Sequence, residues 1–216
     1  MVHLPDEVQW VKASTFSWTH DHAGFFYSRY PAPAAVADLG TEVQANRNHQ
    51  LWYHRLGTAQ AEDVFVFATP EHPTYYIGGS VTDDGGYLLI TVEEGCDPVN
   101  KLYWADLQAL GPQGVRAGAL PAVVRLVDSF VGKFDYVANN GSVFTLFTNL
   151  GAPKGRLLRV DVAGAAAAQP PGSWEELLPE GPHVLEWAAA AAGDAMVVSY
   201  LQDARTALKA RPHPQP

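Results

Sequence analysis

Three glycine–serine pairs are the first places to look for a nucleophilic serine in this sequence. They are Gly79-Ser80, Gly141-Ser142 and Gly172-Ser173. A nucleophile elbow, Gly-x-Ser-x-Gly, holds its serine on a sharp turn between a strand and a helix, and none of the three pairs has that form. Histidines and aspartates also occur, but they form no recognisable triad with a serine. The sequence therefore predicts no catalytic residue within these 216 residues.

Histidine and acidic residues could instead hold a metal ion. His20-Asp21-His22 places two histidines two residues apart, and His49 and His54 follow. A zinc site needs three or four converging ligands, and this sequence offers one cysteine and histidines spread over several turns. We expect no metal and no cofactor, and we expect the acidic pairs Asp83-Asp84 and Glu93-Glu94 to lie in turns and on the surface.

Composition and charge exclude several classes of protein. The formal net charge of −9, with no basic cluster, argues against nucleic-acid binding. No apolar run is long enough for a membrane-spanning helix, and the first residues lack the apolar core of a signal peptide. The single cysteine, Cys96, cannot form an internal disulfide and favours a reducing compartment. We therefore expect a cytoplasmic protein that contacts neither nucleic acid nor a membrane.

Repeated hairpin patterns predict the elements of the fold. In four places a small polar turn separates two β-rich runs, at a spacing of roughly 50 to 60 residues, which is near the length of a four-stranded propeller blade. The turns contain Asp-Gly, Asn-Gly or Gly-Asp, which tolerate the positive φ angles of tight hairpins. The four hairpins lie within residues 16–27, 81–90, 134–146 and 186–200.

Further strands are expected after these hairpins. Returning strands are predicted at 50–56, 101–107 and 156–162, and outer strands at 63–67, 123–127 and 174–178. Two alanine runs favour helix by propensity. Ala165–Ala168 is interpreted as a loop because Gly164 precedes it and Pro170-Pro171-Gly172 follows, and Ala188–Ala192 as a strand because the repeat requires one there.

A series of short motifs, in one order along the chain, resembles the β-propeller domain of prolyl oligopeptidases, cytosolic serine peptidases that cut small proline-containing peptides. The match runs from about Trp10 to about Ala204. Its motifs include Trp18-Thr19-His20-Asp21, Gly24-Phe25-Phe26-Tyr27, Tyr53-His54, Asp83-Asp84-Gly85, Glu94-Gly95-Cys96-Asp97-Pro98-Val99-Asn100, Val143-Phe144-Thr145 and Ser199-Tyr200-Leu201.

The resemblance implies an all-β fold, an incomplete β-propeller with about four four-stranded antiparallel blades of a seven-bladed family fold. The implied domains are a partial propeller at 1–207 and a proline-rich tail at 208–216. The family's catalytic α/β-hydrolase domain, which carries the Ser/Asp/His triad, is missing from this chain. The implied function is the substrate-gating portion of a prolyl-oligopeptidase-like endopeptidase, which acts on short proline-containing peptides only in the complete enzyme.

The resemblance also implies where substrate contacts lie. Cys96 matches a cysteine on the propeller face near the substrate pocket; the alternative is a buried free cysteine that packs as a small hydrophobe. Ala13 and Ile77 stand where the family often has phenylalanine and methionine, and Glu93 stands where it commonly has arginine. The long connection with Gly40-Thr41-Glu42 corresponds to a flexible loop that gates access, or else is a solvated insertion.

A second function remains open: a non-enzymatic propeller-like module for protein interaction. An open set of about four blades exposes an apolar face at each end and an unpaired strand edge, and such surfaces drive association. We therefore also expect self-association.

Overall fold

The computed structural model describes residues 6–32, 46–120, 122–191 and 195–212, and strands dominate them. The fifteen strands are β1 Ser17–Trp18, β2 Gly24–Arg29, β3 Gln50–Arg55, β4 Val64–Ala68, β5 Tyr76–Val81, β6 Tyr87–Glu93, β7 Lys101–Asp106, β8 Val124–Val127, β9 Phe134–Asn140, β10 Val143–Thr148, β11 Arg156–Asp161, β12 Glu175–Leu178, β13 Val184–Ala191, β14 Ala195–Gln202 and β15 Arg205–Pro212. Short 3-10 helices lie at Gln60–Glu62, Gln108–Gln113, Ala165–Ala168 and Pro171–Ser173.

Consecutive strands form four separate sheets. Their orders are β1-β2-β3-β4, β5-β6-β7-β8, β9-β10-β11-β12 and β13-β14-β15. The strand pairs of the first, third and fourth sheets are antiparallel, as is the pair β5 and β6. Each predicted hairpin and returning strand is present, which confirms the all-β prediction.

The last sheet differs from the other three at its end. It has three strands among the described residues. Its last strand, β15, runs through the boundary predicted at 207, because all eight of its residues pair with β14 as far as Pro212. β15 lies at the edge of its sheet, where a proline without an N–H is tolerated.

The two alanine runs adopt different structures. The described part of the second run forms the end of β13, because β14 supplies pairing partners from Ala188 opposite Val198 to Ala191 opposite Ala195. Tertiary pairing thus overrides helix propensity, as predicted. The first run, Ala165–Ala168, forms a single turn of 3-10 helix rather than the irregular loop we expected, since propensity decides where no strand competes.

The chain divides into two compact units, one comprising residues 1–97 and 103–124 and the other residues 98–102 and 125–216. In the first unit the inner strands are apolar on both faces, so Phe26, Leu51 and Ile90 are fully buried. In the second unit the core is an aliphatic and aromatic cluster that includes Leu157, Leu185, Met196, Val198 and Tyr200. Burial of such side chains stabilises each unit.

The first two hairpins share one local arrangement. Thr19 and Thr82 each donate their main-chain N–H to the carbonyl five residues ahead, at 3.0 and 2.9 Å. Asp21 and Asp84 each accept, through Oδ1, the N–H two residues ahead, at 3.0 and 2.9 Å. A Thr-x-Asp sequence therefore closes both turns with the same hydrogen bonds.

Candidate functional site

A cavity of about 300 Å³ lies beside the edge strand β5. Ala13 and Ile77 both line it, together with the main chain at Gly78 and Gly79 and the Glu93 side chain at the end of β6. The structure thus brings together three of the four positions that the sequence resemblance singled out. We call this space the β5 cavity.

Cys96 lies in the connection after β6 and does not line the β5 cavity. Its side chain is exposed, so the interpretation as a buried small hydrophobe is wrong. The loop with Gly40-Thr41-Glu42 lies outside the described residues.

Three polar side chains of the first sheet and its flanks hold the outer edge of β5. His49 Nδ1 accepts the Ile77 N–H at 2.9 Å, and the Ser28 hydroxyl donates to the Ile77 carbonyl at 2.6 Å. The Ser17 hydroxyl oxygen accepts the Val81 N–H at 2.8 Å. These bonds satisfy main-chain groups that β5 would otherwise leave without partners on the side away from β6. They therefore fix the position of the strand that forms the cavity wall.

The hydrogen bonds of His49 determine its tautomer. Nδ1 accepts a hydrogen bond from the Ile77 N–H, so it carries no proton itself. The ring proton is therefore on Nε2, which donates to the Lys12 carbonyl at 3.1 Å. The side chain is almost fully buried, and this burial lowers its pKa, opposed by the bond to Lys12. His49 is accordingly a neutral positioning residue.

The segment before β1 forms the other wall of the β5 cavity. Lys12 is held by His49, and the Ser14 hydroxyl oxygen accepts the Ser28 N–H at 2.8 Å. Ala13 between them has a φ of +52°, in the left-handed region that an alanine adopts at a cost of about 1 kcal/mol. The hydrogen bonds on either side hold this conformation, so Ala13 is placed rigidly.

A second buried histidine, His54, lies between two carboxylates. Its Nδ1 is 2.6 Å from Asp63 Oδ1, and its Nε2 is 3.2 Å from Asp6 Oδ1. The Tyr27 hydroxyl donates to the other oxygen of Asp63 at 2.5 Å. The His54 side chain is fully buried, and carboxylates contact both of its ring nitrogens. His54 is therefore not placed to act as a general base for a serine.

Charges in this cluster follow from its hydrogen bonds. Burial and the bond to Asp63 raise the pKa of Tyr27, which keeps the phenol protonated as a donor. The Gly57 N–H, together with His54, lowers the pKa of Asp6 despite the opposing effect of burial. The cluster ties the segment at Asp6 to β3, which is a structural role.

The described residues contain neither a cluster of metal ligands nor a membrane-spanning helix. In residues 6–32, 46–120, 122–191 and 195–212, no three histidine, cysteine, aspartate or glutamate side chains converge as metal ligands. The same part of the chain contains no helix that is long and apolar enough to cross a membrane.

Consecutive antiparallel sheets, each formed by neighbouring strands of the sequence, define a protein of the β-propeller class. The comparison with known proteins gives the family. The sequence model of one protein family, the prolyl oligopeptidase N-terminal beta-propeller domain, matches residues 2–215. The chain therefore belongs to this family, as part of that propeller domain.

Curated relatives and solved structures agree. Prolyl oligopeptidase A of Amanita bisporigera is 34% identical over 180 residues, 83% of this chain and 22% of that protein. Prolyl endopeptidase of Dictyostelium discoideum is 31% identical over 210 residues, 93% of this chain and 27% of that protein. Prolyl oligopeptidase B of Galerina marginata, solved with a 35mer hydrolysis and macrocyclization substrate, matches 97% of this chain and 27% of its own with a TM-score of 0.84 and 28% identity. The chain thus spans between a fifth and about a quarter of the curated relatives.

Proposed function

We propose that this chain is the substrate-gating portion of a prolyl-oligopeptidase-type propeller that works with an α/β-hydrolase domain, and that the β5 cavity receives a side chain of a short proline-containing peptide. The observation that carries the proposal is the meeting of Ala13, Ile77 and Glu93 in one cavity.

The lining of the cavity suggests which side chains it prefers. Ala13 is small, so it leaves space in the cavity for a side chain of the ligand. The carboxylate of Glu93 attracts a cation and repels an acid. We infer that the cavity favours a basic or neutral residue of the peptide over an acidic one.

Amide NMR shifts of the ¹⁵N-labelled chain test this proposal. Two peptides that differ only in lysine or glutamate at one position before the proline are titrated in turn. We expect shifts at Gly78 and Gly79, with the lysine peptide binding several-fold more tightly at low salt. The Glu93→Arg variant should reverse that order.

Shifts confined to another surface, or identical binding of the two peptides, would overturn this assignment of the cavity. Shifts elsewhere would favour the non-enzymatic interaction module. Neither the chain nor its Glu93→Arg variant should hydrolyse a fluorogenic proline-containing peptide, since residues 1–216 contain no Gly-x-Ser-x-Gly. Turnover that one serine-to-alanine change abolishes would refute that expectation.

We further propose that the chain self-associates and acts in the cytoplasm. Phe16 and Trp18 at the edge of the first sheet are about half exposed, and Leu208 on the edge strand β15 is 61% exposed. Such apolar edges favour association, which light scattering after size exclusion measures. The exposed thiol of Cys96 stays reduced in the cytoplasm.

A further inference from the structure

Two arginines line one cavity at the end of β3. Arg55 is the last residue of that strand and Arg116 lies in the connection between β7 and β8. The cavity has a volume of about 400 Å³, and Asp21 and Tyr53 also line it. In a chain with 23 acidic and 14 basic residues, a pocket where two guanidinium groups face one carboxylate is locally positive.

Within the described part of the chain, neither arginine forms an ion pair with a carboxylate. Among the described residues, no ion pair includes Arg55 or Arg116. Asp21 is engaged in its own hairpin, where it accepts the Ala23 N–H at 3.0 Å. The hydrogen bond with Thr19 is the main reason that its pKa is low, and the charge of Arg55 adds a smaller effect. Arg116 Nη1 donates to the Gly114 carbonyl at 3.5 Å, and its other guanidinium N–H groups, like those of Arg55, can still bind an anion.

The connection that carries Arg116 is held in place. The Leu107 N–H donates to the Gly86 carbonyl at 2.9 Å. The Gln108 N–H donates to Asp106 Oδ1 at 2.8 Å. Gly114 has a φ of +59°, which returns the chain toward the hairpin at Asp21 and buries Val115. Because Arg116 directly follows this buried residue, its main chain is fixed at the cavity.

A smaller cavity adjoins the arginines. It has a volume of about 140 Å³, with an apolar part formed by Leu107, Leu110 and Val115 and a polar part formed by Thr19, His20 and Asp21. Val115 and Asp21 line both cavities. A ligand that occupies both spaces would combine a negative charge with an apolar group close to it.

We propose that Arg55 and Arg116 bind the terminal carboxylate of a peptide whose last residue is apolar, with that side chain placed among Leu107, Leu110 and Val115. The guanidinium fork matches a carboxylate in shape and charge, which supports the choice of ligand. We call this space the arginine site.

The arginine site is separate from the β5 cavity. Gly85, just before β6, lines its apolar part, whereas Glu93 at the other end of β6 lines the β5 cavity. A strand rises about 3.3 Å per residue, so the seven residues of β6 separate the two by roughly 20 Å. A binding result at one of the two sites therefore does not decide the proposal for the other.

Titration of the ¹⁵N-labelled 216-residue chain tests the proposal. The probes are N-acetyl-alanyl-leucine, the same dipeptide as its C-terminal amide, N-acetyl-alanyl-glycine and inorganic phosphate. We expect the leucine acid to shift the amides of Gly114 and Val115 and to bind about tenfold more tightly than its amide, because only the acid makes charge-assisted hydrogen bonds with the arginines. The glycine acid and phosphate should bind more weakly than the leucine acid.

Three variants assign the roles. Arg55→Gln and Arg116→Gln should each weaken binding of the leucine acid by about tenfold. Leu110→Ala should remove the preference for leucine over glycine and leave phosphate binding unchanged. Arg205→Gln is the matched control, since Arg205 is an exposed arginine of the second unit, and it should change nothing.

The proposal fails if the acid and the amide of the leucine peptide bind equally, or if Arg55→Gln and Arg116→Gln act no more strongly than the control. Phosphate that binds as tightly as the leucine acid would overturn the apolar part of the site. Loss of binding counts as support only in variants whose thermal unfolding matches that of the parent chain.

Discussion

Replacement of His49 by phenylalanine tests the attachment of β5 to the first sheet. Phenylalanine keeps an aromatic ring beside Tyr30, whose centroid lies 4.6 Å from that of His49, but it makes neither hydrogen bond. The N–H of the buried Ile77 then lacks a partner, which costs about 1–3 kcal/mol, and loss of the bond to Lys12 adds about 1 kcal/mol. We expect the free energy of unfolding to fall by about 3 kcal/mol.

The same residue makes stability depend on pH in a definite direction. Burial lowers the pKa of His49 in the folded chain below the value of 6.5 that applies when it is exposed. Between these two values the unfolded chain binds more protons, so its population rises as the pH falls. Stability contributed by neutral His49 is therefore present above pH 6.5 and is lost as the pH drops toward the folded pKa.

Urea unfolding followed by tryptophan fluorescence, at pH 7.5 and 5.5, measures both effects. The parent chain should lose more stability than His49→Phe between the two pH values, because the variant lacks this titration. His72→Phe is the control, since His72 is exposed and stacks on Tyr75 at 4.5 Å, and it should change stability by less than about 0.5 kcal/mol. Equal losses of stability in parent and His49→Phe, or a cost no greater than that of the control, would refute the reasoning.

Three further predictions concern glycines and the free thiol. Gly79→Ala places a Cβ 2.7 Å from the fully buried Leu51 side chain, so we expect a loss of about 1–3 kcal/mol in urea unfolding; an unchanged midpoint would contradict this. Gly57→Ala meets no atom within 4 Å and should cost about 1 kcal/mol for its positive φ alone, whereas Gly85→Ala also meets the His20 ring at 2.6 Å and should cost more. Equal thermal shifts for these two would show that His20 moves aside freely. Cys96 should react with a thiol reagent in the native chain within about tenfold of its rate in denaturant, since it is exposed; slow native labelling would contradict its placement.

Local patterns in the sequence were sufficient to predict most of the strands. The turn at Asp84-Gly85 and the following apolar run Tyr87–Glu93 carry a strong local signal, because a turn with positive φ and a buried inner strand each restrict residue type. β15, Arg205–Pro212, carried no such signal and was not predicted, because its residues are mostly exposed and only their pairing with β14 makes them a strand.

Side-chain roles in the candidate site were harder to predict. Ala13 and Ile77 were found through resemblance to a family, and no local pattern would have brought residues so distant in sequence together. His49 was considered only as a possible metal ligand. Its role as a partner of the Ile77 main chain depends on a contact 28 residues away that periodicity does not encode. The sequence also gave no signal that Arg55 and Arg116 share a cavity.

The Thr-x-Asp hairpins have a consequence for how this domain can diversify. Both turns join their threonine to the carbonyl five residues ahead, so segments 19–24 and 82–87 are equal in length and close with the same main-chain hydrogen bond. The tips nevertheless differ, with His22 in one and Gly85 in the other, both at positive φ. Substitutions at the tips can therefore change the chemistry of each loop surface while the strands behind it keep their register. The scaffold and the surface chemistry of the domain can thus evolve separately.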